Sequence, residues 1–159
     1  MKVFKAIFAG IVGGLAMTGL GWLAREAGLE LNGEMMLGTM LGYPVGQDAW
    51  FVGLGAHLVL SALIALLYAA AFEAVAHRAG AAAGFSFSVV HLLVAGLAMV
   101  LIPAIHPMIP EQMPAPGAFL VTMGAPNVAF FIVEHLTFGV TVGAVYGTVL
   151  HPRARPAMA

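Results

Sequence analysis

Ionisable side chains fall inside stretches of this 159-residue sequence that are otherwise uncharged and long enough to cross a membrane, His57, Glu134 and His135 among them. A charged carboxylate at mid-membrane costs about 2.5 kcal/mol or more, so groups of this kind are candidate functional residues. Two imidazoles facing each other there could be the axial ligands of a haem b, bind another metal ion, or pass protons. Glu134, next to His135, could orient a ligating imidazole, bind a cation together with His57 and His135, or relay protons. Structural roles stand beside these. A neutral histidine can hydrogen-bond a neighbouring helix, and Glu134 can be protonated or reach the outer surface along with Asn127.

The two histidines begin one template that occurs twice. From His57 and from His135 the pattern runs His-Leu, a small residue at +4 (Ser61, Gly139) and +8 (Ala65, Gly143), Tyr at +11 (Tyr68, Tyr146) and a small residue at +12. At 100° per residue the +4, +8 and +11 positions lie within about 80° of the His, so each helix presents one face with an imidazole, a groove and a phenol. Gly53, Gly55, Ser61, Gly139 and Gly143 are expected to leave a flat macrocycle room beside the backbones. His91 is expected at a different level, as a core histidine. His106, close to Glu111, is a candidate ligand of an outer metal site. Met35, Met36, Met40, Met108, Met113 and Met123 fall in the outer segments, where thioethers suit Cu(I), but their irregular spacing fits flexible apolar packing better.

The elements that must position these residues follow from composition. Hydrophobic residues make up 62% and charged residues 8%, with a mean hydropathy of +1.01, whereas an ordinary soluble domain carries about 25% charged residues. This is the composition of an integral membrane protein. With no cysteine, disulfides, thiolate–metal sites and covalently attached c-type haem are excluded. The apolar runs predict an all-α, four-helix transmembrane bundle with spans at about 6–24, 49–72, 85–105 and 127–150 in one domain. Asn32 is placed to cap a short amphipathic helix ending near Leu41. Gly80 and Gly84 bracket a turn into the third span. The prolines from Pro103 to Pro116 predict an extended loop, 117–124 a short interfacial helix, and Pro126 the start of the fourth span.

Lys2, Lys5, Arg78, Arg153 and Arg155 share one side of such a bundle, which makes that side cytoplasmic and both termini inside, in the inner membrane of a bacterium. Arg25 is the one base outside, among Glu26, Glu30, Glu34, Asp48 and Glu111. Gly14-Leu15-Ala16-Met17 recurs as Gly96-Leu97-Ala98-Met99, and Thr39-Met40 with Pro44 recurs as Thr122-Met123 with Pro126. With the His template, these matches predict a parallel internal repeat of helices 1–2 and 3–4, placing His57 and His135 opposite one another about 10–13 Å below the outer surface.

Four spans with a repeated His-Leu…small…small…Tyr-small helix resemble a family of small bacterial integral membrane proteins of unknown function. The resemblance implies the fold and no activity. Nucleophile elbow, phosphate loop, HExxH and basic nucleic-acid patch are all missing from the sequence, so nucleic-acid binding and a self-contained enzyme are not expected. The leading expectation is a non-catalytic subunit of a larger membrane complex for electron transfer. It would contact lipid and other membrane subunits, carry a haem b on His57 and His135, and dock a basic soluble electron carrier on its acidic outer face. The alternative is a small transporter or channel for protons or a metal cation, lined by Glu134, His57 and His135.

Overall fold

In a computed structural model, which describes residues 1–147, the chain is helical throughout and the described residues contain no strand. The expected end of the last span at Leu150, with Arg153 and Arg155, lies outside the described residues. The helices are α1 (Val3–Glu26), α2 (Gly33–Met40), α3 (Gln47–Ala71), α4 (Ala81–Ala98), α5 (Ile102–Ile105) and α6 (Ala125–Tyr146). Four stretches are long and apolar enough to cross a membrane: Val3–Glu26, Gln47–Ala76, Ala81–Ile105 and Ala125–Tyr146. At about 1.5 Å per residue each reaches or exceeds a hydrocarbon core of about 30 Å.

The spans form an open arc in the order α3, α1, α6, α4, while α3 and α4 at most graze each other. Small residues let the neighbours in the arc approach. Gly10 and Gly14 of α1 face Ser61 and Ala65 of α3, and Gly84 and Ser88 of α4 face Gly139 and Gly143 of α6. The +4 and +8 positions of the His template are therefore the contact line in both pairs. A Cβ on Gly84 would fall on the Gly139 carbonyl, and one on Gly139 would meet Ser88. Gly84 thus serves helix packing within α4 and not the preceding turn, which is made at His77 (φ 51°) and Gly80 (φ 129°). The two Gly-Leu-Ala-Met strings do not occupy matching places, since Gly14 lies against Ser61 and Gly96 against the Phe119 ring.

At the α2 end, Asn32 caps α2 by accepting a hydrogen bond from the Met35 amide at 3.0 Å, as its position in the sequence predicts. The segment after α5 is tied back to α2 by His106, which is 4% exposed. Its Nδ1 accepts from the Met108 amide at 3.1 Å, so Nε2 carries the proton and donates to the Met36 carbonyl at 3.1 Å beside the Thr39 hydroxyl. The expected interfacial helix at 117–124 is instead a distorted 3-10 stretch, Ala118–Met123, in which Phe119 and Leu120 adopt left-handed φ values of 51° and 63°. That kink turns Leu120 into the core and lays the Phe119 ring on Gly96.

The opposite end is solid. Tyr68, Phe72, Phe138 and Tyr146 pack there with Ala65, Ala69 and Val142, and Phe87 closes their flank. Tyr68 meets Phe72, Phe87 and Phe138 edge to face, with centroids 5.8–6.5 Å apart, a favoured arrangement for aromatic rings. Tyr146 donates to Glu73 at 2.5 Å, and Glu73 also pairs with the Met1 amine at 2.6 Å.

Candidate functional site

Between α3 and α4, in the half of the bundle nearer α2, lies a cavity of about 310 Å³. Its lining brings together Arg25 from α1, Glu34 from α2, His57 from α3, His91 from α4, and Glu134 and His135 from α6. Leucine, isoleucine, methionine, phenylalanine and alanine side chains supply most of the remaining wall, among them Met17, Ile64, Ala95, Met99 and Phe131. His57, Glu134 and His135 thus line one cavity. His106 does not join them: its Nδ1 is taken by the Met108 amide and its Nε2 by the Met36 carbonyl of α2, so it is a pin for the connecting segment.

Glu34 is positioned by glycine. A Cβ on Gly53 would fall on the Glu34 carbonyl, and a Cβ on Gly38 on the Ala49 carbonyl, so α2 rests backbone to backbone on α3. His57 follows Gly53 by one helical turn and shares its face. The Glu34 carboxyl is therefore brought to 3.7 Å from His57 Nδ1 and 3.6 Å from Arg25 Nη1, and the residue is 3% exposed. Both distances exceed an ordinary hydrogen bond, which makes these electrostatic contacts. Burial alone would raise the Glu34 carboxyl, but His57 opposite it, with Thr18 and its own backbone amide, outweighs burial and holds it below the usual carboxylate value of 4.5. Thr18 makes no hydrogen bond of ordinary geometry, and its buried hydroxyl is left without a partner among the described residues.

His135 is 8% exposed, and its Nδ1 donates to the Phe131 carbonyl one turn earlier at 2.8 Å. Its ring lies 4.1 Å from that of Phe131 and 5.0 Å from that of His91, centroid to centroid. The second distance corrects the expectation that His91 stands at another level. The reason is the α4–α6 contact: Gly84 and Ser88 seat α4 on α6, and His91, one turn beyond Ser88, follows them onto the same side. His91 Nδ1 is 3.3 Å from the Tyr68 hydroxyl. His91 and His135 are thus held through Nδ1, His57 turns its Nδ1 toward Glu34 beyond hydrogen-bond distance, and none of the three makes a hydrogen bond through Nε2 among the described residues.

Glu134 forms no ion pair among the described residues. It lines the cavity and does not accompany Asn127, which accepts from the Leu31 amide at 3.2 Å and donates to the Met123 carbonyl. A Cβ at Gly21 would stand 3.2 Å from Glu134 Oε1 and 3.3 Å from Arg25 Nη1, so this glycine keeps clear the space in which the two heads approach.

The expected room for a macrocycle is not supplied by the glycines. Gly53 is covered by α2, Gly139 and Gly143 are covered by α4, and Gly55 opens onto the exterior with nothing within 4 Å of a Cβ there. No cluster of three or more His, Cys, Asp and Glu placed to hold a metal ion occurs among the described residues.

No protein family, curated protein or solved structure matches the chain.

Of the site residues, Glu34 and His91 escape a reading by sequence. Glu34 looks like one more acid in a polar stretch, and only the pairing of Gly38 with Gly53 betrays that its helix is pressed onto a span. For His91 a signal exists: Gly84 and Ser88 precede it by two turns and one, the same small-residue stripe that marks His135.

Proposed function

We propose that this protein is a small, non-catalytic membrane subunit that holds a ligand in the cavity between α3 and α4, in the outer half of the bilayer, on behalf of a larger electron-transfer assembly. The observation that carries this reading is the convergence of His57, His91 and His135 on one cavity, with no hydrogen bond at Nε2 of any of them among the described residues. His135, whose Nδ1 donates to a backbone carbonyl, is fixed in tautomer and direction, as binding histidines are. The bias of bases to one side supports both termini inside, and the matched contacts of α1–α3 and α4–α6 support a duplicated half.

The packed aromatic cluster at the other end of the bundle favours holding over conduction. A haem b on His57 and His135 is one guest with the right donor chemistry, although the glycine positions do not make space for it. Proton or cation transport is the second reading, favoured by the unpaired Glu134.

Purification in mild detergent, followed by native mass spectrometry and visible spectra of oxidised and reduced protein, tests the proposal. The expected result is a bound small molecule lost in both His57→Ala and His135→Ala. A Soret band lost in both variants assigns haem. Protein that carries no guest and instead drives proton or metal flux in vesicles, abolished by Glu134→Gln, overturns the holding role in favour of transport.

A further inference from the structure

We propose that the guest is a lipophilic molecule with a hydroxyl-bearing aromatic head, of the quinol class, which enters between α3 and α4 and donates its hydroxyl to Nε2 of His135. This rests on the holding role above and adds the ligand's chemistry.

The head group follows from the tautomer. Because His135 Nδ1 donates to the Phe131 carbonyl, Nε2 of the neutral ring is an acceptor. No protein donor meets it among the described residues, and His135 lines the cavity, where a guest can supply one. The partner must therefore bring a hydrogen-bond donor. Flat rings already stand around this point: Phe131 and His91 flank His135, and Phe138 lies 5.5 Å from His91. A planar aromatic head fits edge to face among them.

The tail follows from the sparse contact between α3 and α4, which meet mainly through Tyr68. A second apolar groove, of about 400 Å³, runs between these helices and shares Ile64, His91 and Ala95 with the cavity. Leu67, Val90 and Val94 line it and are 59–70% exposed on the face a bilayer would cover. An apolar chain lying there leads from lipid directly to the imidazoles, so the molecule has its polar end inside and its hydrophobic end outside. A water-soluble metabolite would gain nothing from these walls.

The test uses full-length protein in lipid nanodiscs, titrated with a decyl-substituted quinol and with the same compound methylated on its hydroxyls. The quinol is expected to bind about tenfold more tightly than the ether, since a buried acceptor left unpaired costs about that factor. His135→Ala should remove the preference, and Ala95→Phe, placed where groove and cavity join, should weaken both compounds, with melting curves confirming that each variant is folded. Equal binding of quinol and ether by the unaltered protein overturns the proposal and leaves an apolar groove for lipid tails. If the quinol fails while another molecule co-purifies in a His135-dependent way, the ligand class falls and the holding role stands. If neither is found, both fall.

Discussion

Glu34→Ala is expected to destabilise the protein by about 3–5 kcal/mol, the usual cost of removing one partner from a buried ion pair. Glu34 is 3% exposed and its carboxyl faces both Arg25 and His57, so its loss leaves the guanidinium without its counter-charge and the imidazole without its neighbour. Glu34→Gln keeps the shape and should cost less. Acidification should mimic it. The folded Glu34 carboxyl lies below its ordinary 4.5, so its contribution is fully present above that pH and is lost as the pH falls through the folded value. Melting temperatures in detergent across the range should show the native protein converging on Glu34→Gln as the pH drops. A constant gap between the two would mean that Glu34 works by packing alone.

Gly53→Ala should be nearly as damaging, at about 3 kcal/mol, because the added Cβ falls on the backbone carbonyl of Glu34 and not on a side chain that can swing away. The strain is relieved only by lifting α2, and α2 carries Glu34 and receives the His106 pin. One substitution therefore loosens the site, the cap and the connecting segment together. Gly55→Ala, two residues on, meets nothing within 4 Å and is expected to change stability by no more than about 0.5 kcal/mol. Thermal unfolding of the two variants side by side checks this contrast, and equal effects would mean that α2 does not rest on α3.

The four long helices were legible because length and apolarity alone mark a span. The small residues at +4 and +8 of the His template were legible as contact positions because helical periodicity puts them on one line. Their purpose was misjudged. Gly53, Gly139 and Gly143 make room for neighbouring backbones and none for a cofactor, and a sequence alone does not say which neighbour fills the gap a glycine leaves. Glu34 was invisible for a related reason. Its helix is eight residues long and polar at its start, and nothing local announces that Gly38 will seat it against Ala49. His91 was misplaced because depth was counted along its own helix. What sets its height relative to His135 is the register of α4 on α6, fixed by Gly84, Ser88, Gly139 and Gly143 across the contact. The 3-10 kink at Phe119 and Leu120 likewise depends on the Gly96 contact and not on local preference.

The account depends on side chains from α2, α3, α4 and α6 meeting in one intramembrane cavity. Solid-state NMR of the unaltered protein in lipid bilayers, with histidine and glutamate labelled with ¹³C and ¹⁵N, measures this directly. Cross-peaks are predicted between the rings of His91 and His135, 5.0 Å apart, and between the His57 ring and the Glu34 carboxyl, with the His135 proton on Nδ1. A His91 ring that correlates with no other imidazole, or a Glu34 carboxyl that exchanges freely with water and shows no contact to His57, would contradict it.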